Sequence, residues 1–349
     1  MAAPTRVGIL NDTSDGPPGP SDLERWLHLA VEEVASAGRI DREVTFVHSW
    51  GLGLPAGTAA AVERAYSELV DQDVLLIVGP AIGDNALVAT PLADRARVPT
   101  INWAGSERAR SEYMFHLQVG SHEEEPVVLV GHLASIGVKR LGIVYDRSPI
   151  GRRYLEFFED HADVLSLRLS AVRALSPIAE DATAEVTEVL EANPEAVVYL
   201  GLGLAVPAVA RALTAAGWQG PKAMNTAGIR GHAPEFASLI DGWLYIDMYS
   251  DHNSTFSALR DHLGGAPSHL PAAGYDLGRL VAEAVARAPE HTRDGLKAGL
   301  ERIKWLPAAE GHEGTMLGFG HHDRGALHGR YLVLRQWVQG RSVEVVSPV

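Results

Sequence analysis

The sequence predicts an α/β protein with doubly wound parallel sheets, and three features of the chain support that prediction. Residues 74–78 form an uninterrupted apolar run ended by Gly79-Pro80, which is typical of a parallel strand buried on both faces. A helical pattern follows, and a second strand over 98–102 runs into the small residues of 103–106. The same alternation restarts after Val119, which predicts a second sheet of the same kind.

The first part of the chain alternates short strands with amphipathic helices. Apolar residues three and four apart predict a helix from Ser21 or Asp22 to Val34, capped by one of the first two side chains. The other predicted elements are strands at 6–10, 44–48, 74–78 and 98–102, helices at 58–71 and 87–93, and an extended segment at 115–119.

The alternation continues in the second part, and extended segments mark three passages between two lobes. The passages follow Val119, lie near Asp247 and extend over 318–330. They predict that lobe one comprises residues 1–119 and 249–323, and that lobe two comprises residues 120–248 and 324–349. The predicted elements are helices at 123–136, 151–162, 206–216, 254–262 and 274–288, and strands at 141–145, 196–200, 223–225, 243–247 and 331–337.

Composition excludes several classes of partner and site. The net charge of -14 disfavours a phosphate backbone or an anionic membrane surface, so we expect no nucleic acid partner. With 0 cysteines the chain has no disulfides, thiolate zinc ligands or cysteine nucleophiles. No run approaches the roughly 18 apolar residues needed for membrane insertion. No signal-like segment opens the chain, so we expect a cytoplasmic protein if Met1 is the natural start and an extracytoplasmic one if an export signal has been removed.

Three short motifs have the order and spacing of a known family. They are Val78-Gly79-Pro80, Ala104-Gly105-Ser106, and Ala30-Val31-Glu32-Glu33 followed by Ala37-Gly38. With them the chain resembles, from Arg6 to about Val338, the leucine/isoleucine/valine-binding family of ABC transporter solute-binding proteins, which have the type I periplasmic-binding fold. The resemblance implies two lobes joined by three crossover segments, which act as a hinge and close a cleft around the ligand.

In lobe one, the resemblance places ligand-binding positions on the loops after the third and fourth strands. The family's ligand-binding serine falls on Gly83, in a loop with Asp84 and Asn85. Its carboxylate-binding hydroxyl falls on Ser106, after Gly105. We expect Ser106 to begin a helix whose amides also favour an anion; a role as the N-cap of that helix is the simpler alternative.

Two tryptophans lie at strand ends where such a ligand would bind. Trp50 follows the second strand, and Trp103 follows the fourth. Both are candidate walls of an apolar ligand site. The alternative is that they only close the loop ends against the sheet, because buried tryptophan usually belongs to the core.

In lobe two, the resemblance implies tyrosines and an acid that bind the α-ammonium of an amino acid. These positions fall on Ile150, near Gly203 or Leu204, and near Ala227, which follows Thr226. A buried ammonium without a carboxylate or an aromatic face costs several kcal/mol, and all three replacements are apolar. We therefore expect a small, largely apolar ligand, either a carboxylate or an amide, rather than a free branched-chain amino acid.

We expect neither a metal site nor a catalytic constellation. His321 and His322, near His328, point to opposite faces of an extended segment, so they do not readily share one ion. The chain has no Gly-x-Ser-x-Gly elbow and no complete dinucleotide fingerprint. The sequence therefore predicts no cofactor and no enzymatic activity.

The predicted function is a solute-binding protein that closes on a small organic ligand for ABC-type uptake, with a permease as its partner. Two alternatives stay open. One is a cytosolic ligand sensor of the amide-binding type, which acts on a regulatory partner protein. The other is an enzyme recruited from this fold, in which Asp84, Ser106 or a histidine would act as the acid–base group.

Overall fold

A computed structural model describes residues 3–16, 22–264 and 267–346 of the protein. Contacts within the chain divide it into two units. Unit 1 comprises Met1–Val119 and Met248–Tyr331, and unit 2 comprises Gly120–Asp247 and Leu332–Val349. The chain thus passes from one unit to the other three times. In the described ranges, no helix is both long enough and apolar enough to cross a membrane.

The first segment of unit 1 alternates strands and helices. Its elements are β1 (Thr5–Asn11), α1 (Asp22–Ser36), β2 (Val44–Trp50), α2 (Ala59–Asp71), β3 (Leu76–Val78), α3 (Gly83–Ala96), β4 (Thr100–Asn102) and β5 (Met114–His116). The strands are parallel and pair in the order β2-β1-β3-β4-β5, so β1 is the point at which the strand order reverses. Doubly wound sheets bind ligands at such a point, outside the carboxyl ends of the strands. Ser21, one of the two predicted caps of α1, lies outside the described residues.

Unit 2 begins with a second alternation. Its elements are α4 (Glu125–Ser135), β6 (Arg140–Asp146), α5 (Pro149–Val164), β7 (Arg168–Leu175), α6 (Thr183–Glu191), β8 (Ala196–Leu200), α7 (Val206–Ala215), β9 (Lys222–Met224), a 3₁₀ helix (Thr226–His232), α8 (Pro234–Ala237) and β10 (Trp243–Asp247). Neither β7 nor α6 is predicted from the sequence pattern. Most side chains of β7 are only half-buried, because β7 lies at the edge of its sheet, so it lacks the apolar run that marks a buried strand.

The chain then returns to unit 1 and ends in unit 2. The returning segment contains α9 (Ser254–Ala258), a 3₁₀ helix (Arg260–His262), α10 (His269–Arg287), α11 (Arg293–Glu301) and the short antiparallel strands β11 (Leu306–Pro307), β12 (Met316–Leu317) and β13 (Leu327–His328). The last strands, β14 (Val333–Val338) and β15 (Arg341–Glu344), complete the sheet of unit 2 in the order β15-β14-β10-β9-β8-β6-β7. Strands β6 to β10 are parallel, and β14 and β15 are antiparallel to their neighbours. The predicted α/β class is confirmed.

Residues 324–331 lie in unit 1, whereas the predicted boundary assigned them to lobe two. The reason is that β13 pairs with β12 of unit 1. In addition, Gln118 donates from Nε2 to the carbonyl oxygen of Leu327 at 3.1 Å and accepts at Oε1 from the Leu327 N–H at 2.9 Å. The last passage between the units therefore follows Tyr331.

Candidate functional site

In unit 1, the loops that follow β1, β3 and β4 lie together at the carboxyl-end edge of the sheet. Gly79 directly follows β3 and has a φ of +107°. A Cβ atom there would lie 2.4 Å from the carbonyl oxygen of Leu10, so only glycine fits beside β1. The backbone N–H of Trp103, after β4, donates to the carbonyl oxygen of Pro80 at 3.1 Å. The backbone thus joins the ends of three neighbouring strands.

Asp12, directly after β1, holds the loop that follows β3. Its carboxylate accepts hydrogen bonds from the backbone N–H of Ala81 at 2.9 Å, from that of Ile82 at 3.0 Å and from Nδ2 of Asn85 at 2.8 Å. Burial raises the pKa of Asp12, and the three hydrogen bonds oppose that rise. Sequence reasoning missed this residue, although an acid immediately after a strand was the available signal.

Asn85, a predicted ligand residue, is fully buried and bonded on every side to protein groups. Besides its bond to Asp12, its Nδ2 donates to the carbonyl oxygen of Leu54 at 3.3 Å, and its Oδ1 accepts from the N–H of Leu54 at 2.9 Å. A Cβ atom at Gly53 would lie 2.3 Å from Nδ2. Asn85 therefore positions the loop that follows β2.

Gly83 and Asp84 occupy the first turn of α3, so the helix begins inside the stretch 81–85 that the sequence analysis treats as a loop. Gly83 is buried and Asp84 is half-buried. Burial raises the pKa of Asp84. The carboxyl group makes no hydrogen bond to the part of the chain that the structure describes.

The predicted helix at Ser106 is wrong. Residues 106–113 form turns, because Nδ2 of Asn102 donates to the carbonyl oxygens of Ala109 at 2.8 Å and Phe115 at 2.9 Å and folds the segment back onto the sheet. The N–H of Ala109 donates to the carbonyl oxygen of Ser106 at 3.2 Å. Helix amides therefore do not contribute to anion binding here. Ser106 is only 5% exposed, Gly105 is half-buried, and the Ser106 hydroxyl makes no hydrogen bond within the described ranges.

Trp50 and Trp103, the two predicted wall residues, are both half-buried. Trp50 ends the edge strand β2, and its ring stacks on His48 with centroids 5.3 Å apart. Its indole N–H is buried, and it has no hydrogen-bond acceptor among the residues described. His48 itself is bound to Glu24 at 2.9 Å. The Trp50 indole is therefore an unused donor at a strand end.

At the carboxyl-end edge of the unit 2 sheet, Asp146 organises the loop after β8. It is fully buried, its Oδ1 accepts from the Tyr199 hydroxyl at 2.5 Å, and its Oδ2 accepts from the N–H of Leu202 at 2.8 Å. Burial raises the pKa of Asp146, while these bonds and the charge of Arg230 oppose the rise. A Cβ atom at Gly201 would lie 2.3 Å from the Asp146 carboxyl carbon. Sequence reasoning missed this acid too.

Thr226, a predicted ligand residue, is bound to the buried carboxylate of Glu125. The Glu125 side chain accepts from the Thr226 N–H at 2.6 Å, from the Tyr154 hydroxyl at 2.7 Å and from the Ser121 N–H at 2.8 Å. Burial raises the pKa of Glu125 to about 7, although these hydrogen bonds lower it. The backbone N–H of Thr226 is therefore already used within unit 2.

The apolar positions predicted for unit 2 lie at the same strand ends. Ile150 is 5% exposed in the first turn of α5, Ala227 is 4% exposed in the 3₁₀ helix after β9, and Leu204 is half-buried in the loop after β8. A Cβ atom at Gly203 would lie 3.0 Å from the Cβ of Ala227 and 3.0 Å from Cδ of Arg230. The structure thus brings the loop of Leu204 against Ala227, and it places Arg230, which sequence reasoning missed, beside both.

In the described ranges, no group of three or more histidine, cysteine, aspartate or glutamate side chains has the arrangement to hold a metal ion. The rings of His321 and His322 contact each other edge to face, with centroids 4.7 Å apart, and Nε2 of His328 bonds to the carbonyl oxygen of Gly318 at 2.9 Å. These histidines do not converge on a common point.

Comparison with known proteins agrees with this geometry. The family model described as "Periplasmic binding protein" matches residues 4–334. None of the curated proteins compared with the chain matches it. Among solved structures, a periplasmic binding protein type 1 from Bordetella pertussis Tohama I is similar, with a TM-score of 0.82 and 18% identity over 99% of this chain and 100% of that one.

Two further structures are similar over almost their whole lengths. An ABC transporter substrate-binding protein from Desulfitobacterium hafniense, in complex with Leu, has a TM-score of 0.81 and 17% identity over 98% of this chain and 100% of that one. The leucine binding protein LivK from Thermotoga maritima MSB8 has a TM-score of 0.82 and 15% identity over 98% of each chain. At these identities the likeness shows the fold, which is the type I periplasmic-binding fold. Because the family model matches the chain from residue 4 to residue 334, this protein belongs to the periplasmic binding protein family.

Proposed function

We propose that this protein is a solute-binding protein that holds a small, largely apolar organic ligand on the loops at the carboxyl ends of its parallel strands, for ABC-type uptake. The observation that carries the proposal is that some polar groups at the strand ends of unit 1 are bonded within the protein, whereas others have no partner there. Asp12 and Asn85 are bonded to the protein itself. The Asp84 carboxyl, the Ser106 hydroxyl and the Trp50 indole N–H have no partner in the described ranges. A few unpaired polar groups among apolar walls are typical of a small-molecule site.

The proposed ligand is a carboxylate or an amide and not a free branched-chain amino acid. Two of the similar structures are named for leucine or contain it. In unit 2, where the family binds the ammonium, the side chains of Ile150, Leu204 and Ala227 offer no acceptor. The nearby acid Glu125 already accepts hydrogen bonds from three neighbouring residues and is fully buried, so it is not available for one either. An ammonium buried at these unit 2 positions would lose several kcal/mol of solvation.

Uptake is proposed ahead of catalysis and sensing. The similar proteins are named as substrate-binding and periplasmic binding proteins. Among the described residues, the Ser106 hydroxyl does not hydrogen-bond to a histidine, so Ser106 lacks the base that activates a serine nucleophile. A sensor would use the same loops inside the cytoplasm with a regulatory partner, whereas uptake requires an extracytoplasmic protein with a permease. The two-lobe hinge that the resemblance implies stays a prediction.

Mass spectrometry of the purified protein tests the binding function. Under native conditions we expect a mass increment, and extraction under denaturing conditions should release one organic molecule. Titration calorimetry with that molecule should show saturable one-site binding, whereas leucine, isoleucine and valine should bind weakly or not at all. Micromolar or tighter leucine binding would show that the positions carried over from the family are misassigned. The absence of any retained molecule, together with no saturable binding across a metabolite library, would contradict solute binding itself.

Cell fractionation then separates uptake from sensing. The protein expressed from its natural gene with a carboxyl-terminal tag should be recovered outside the cytoplasm and should crosslink to a membrane permease. Recovery in the cytosol with a soluble regulatory partner would favour the sensor. Turnover of the bound molecule by the purified protein would favour the enzyme.

A further inference from the structure

Arg230 lies at the carboxyl-end edge of the unit 2 sheet, in the 3₁₀ helix that follows β9. Its Nε donates a hydrogen bond to the carbonyl oxygen of Leu202 at 2.9 Å. Its stem packs on Gly203, where a Cβ atom would lie 3.0 Å from Cδ, and Gly203 has a φ of +90°. The loop after β8 therefore fixes the position of this guanidinium.

The cation of Arg230 has no ion-pair partner among the side chains that the structure describes. Its terminal nitrogens, Nη1 and Nη2, make no hydrogen bond there, and no described carboxylate lies within 4.0 Å of them. Burial lowers the pKa of the guanidinium, while the nearby Tyr199 and Asp146 oppose that change. Arg230 is half-buried, and its terminal nitrogens are not among the buried unpartnered atoms of the described residues, so they stay accessible to an anion from solution.

Asp146, whose charge acts on Arg230, does not fill that place. Both of its oxygens are bound by other donors, Oδ1 by the Tyr199 hydroxyl and Oδ2 by the N–H of Leu202. Asp146 is also fully buried beneath the loop. Asp146 therefore stabilises the loop and partly offsets the positive charge of Arg230. It does not bind the terminal nitrogens of Arg230.

We propose that Arg230 is an anion-binding residue and that the solute of this protein carries a carboxylate, which Nη1 and Nη2 bind as a pair. The planar fork of a guanidinium matches the two oxygens of a carboxylate, and these bonds are about twice as strong as neutral ones. Leu204, which is half-buried in the loop on which the Arg230 stem packs, provides an apolar side chain for the remainder of the molecule. The inference rests on the proposed function and selects the carboxylate from the two ligand classes left open there.

Matched pairs of acid and amide test the inference. The probes are 4-methylpentanoate with 4-methylpentanamide and benzoate with benzamide, each pair sharing one apolar body. Titration calorimetry at neutral pH is carried out on ligand-stripped wild type, on R230Q and R230K, and on R152Q as the control. Arg152 is an exposed arginine on α5 of the same unit, so R152Q removes an equal charge without touching the loop. Thermal melts establish that each variant is folded.

We expect at least one acid to bind wild type about ten- to a hundredfold more tightly than its amide, as a charge-assisted pair implies. The R230Q substitution should remove that preference and leave amide affinity unchanged. R230K, which keeps the charge but loses the fork, should retain part of it, and R152Q should behave as wild type. Equal binding of acid and amide to wild type, or a preference that survives in R230Q, would overturn the inference while leaving solute binding intact.

The copurified molecule decides the case in which none of the four probes binds. An acid whose affinity falls at least tenfold in R230Q supports the inference. A neutral or cationic molecule contradicts it. If no molecule is retained and no library member binds, the proposed function fails, and the inference fails with it.

Discussion

The side-chain amide of Asn85 donates a hydrogen bond to the carboxylate of Asp12 across 2.8 Å, and both side chains are buried. The bond joins the residue after β1 to the first turn of α3. Because the same carboxylate also binds the N–H groups of Ala81 and Ile82, one side chain satisfies three donors of the loop after β3. Hydrogen bonds within the protein therefore hold together the edge of the sheet at which the strand order reverses.

Replacing Asp12 with alanine should lower the free energy of unfolding by about 3–5 kcal/mol. The change removes the acceptor of two half-buried backbone N–H groups and one of the two acceptors of the buried Asn85 amide. A buried donor left unsatisfied costs about 1–3 kcal/mol, with incomplete additivity. Urea denaturation measures the loss. The matched control is D15A, because Asp15 is exposed and accepts only from the N–H of Leu52 at 3.1 Å, so its loss should stay below about 1 kcal/mol. Equal losses in the two variants would show that Asp12 does not hold the loop.

Replacing Ser106 with alanine should affect ligand binding and leave stability almost unchanged. Its hydroxyl makes no hydrogen bond within the described ranges, so the free energy of unfolding should move by less than about 0.5 kcal/mol. Binding of the copurified molecule should weaken by about 1.5–3 kcal/mol if the bonded group is ionised. The control S111A should lower the free energy of unfolding and leave ligand affinity unchanged, because the Ser111 hydroxyl donates a hydrogen bond to Asp94 at 2.8 Å. Unchanged affinity in S106A would remove Ser106 from the site.

Replacing Trp103 with alanine tests whether its ring contacts the ligand or belongs to the hydrophobic core. Because the ring is half-buried, its removal should lower the free energy of unfolding by less than the removal of a core tryptophan. The same change should weaken binding of the copurified molecule. The reference is W243A, because Trp243 is 1% exposed and its loss should cost about 3–5 kcal/mol. A stability loss in W103A as large as in W243A, with affinity unchanged, would mean that the ring is structural.

The fold was predictable from sequence wherever a strand is buried on both faces. The apolar run 74–78 and its Gly79-Pro80 ending predict β3 because such a strand needs apolar side chains on both sides. The expectation of a helix at Ser106 failed because tertiary bonds from Asn102 to Ala109 and Phe115 override the local signal. Neither bond is visible in a local pattern.

The residues that organise the strand ends were less accessible to sequence reasoning. Asp12 binds Ala81, which is 69 positions away, and Arg230 binds Leu202, which is 28 positions away. Such partners become neighbours only when the strands align. A charged residue shortly after a predicted strand is the signal that remains, but solvated loops carry charges in the same places.

Glu125 and His122 should contribute to the free energy of unfolding with opposite pH dependences. Burial raises the pKa of Glu125 from 4.5 to about 7. Its stability contribution is therefore greatest below pH 4.5 and is lost as pH rises through about 7. The difference in unfolding free energy between wild type and E125Q should fall by about 2–3 kcal/mol between pH 5 and pH 8. Urea denaturation at a series of pH values measures it.

His122, which packs against Tyr154 with ring centroids 4.7 Å apart, provides the opposite sign as an internal control. Burial, assisted by the charge of Arg153, lowers the pKa of His122 from 6.5 to about 3. Its contribution is present above pH 6.5 and is lost as pH falls towards 3, because the folded protein resists protonating the ring. The difference between wild type and H122Q should therefore shrink on acidification, whereas the difference between wild type and E125Q shrinks on alkalinisation. If both differences moved in the same direction, or if neither varied with pH, burial would not be what controls these two groups.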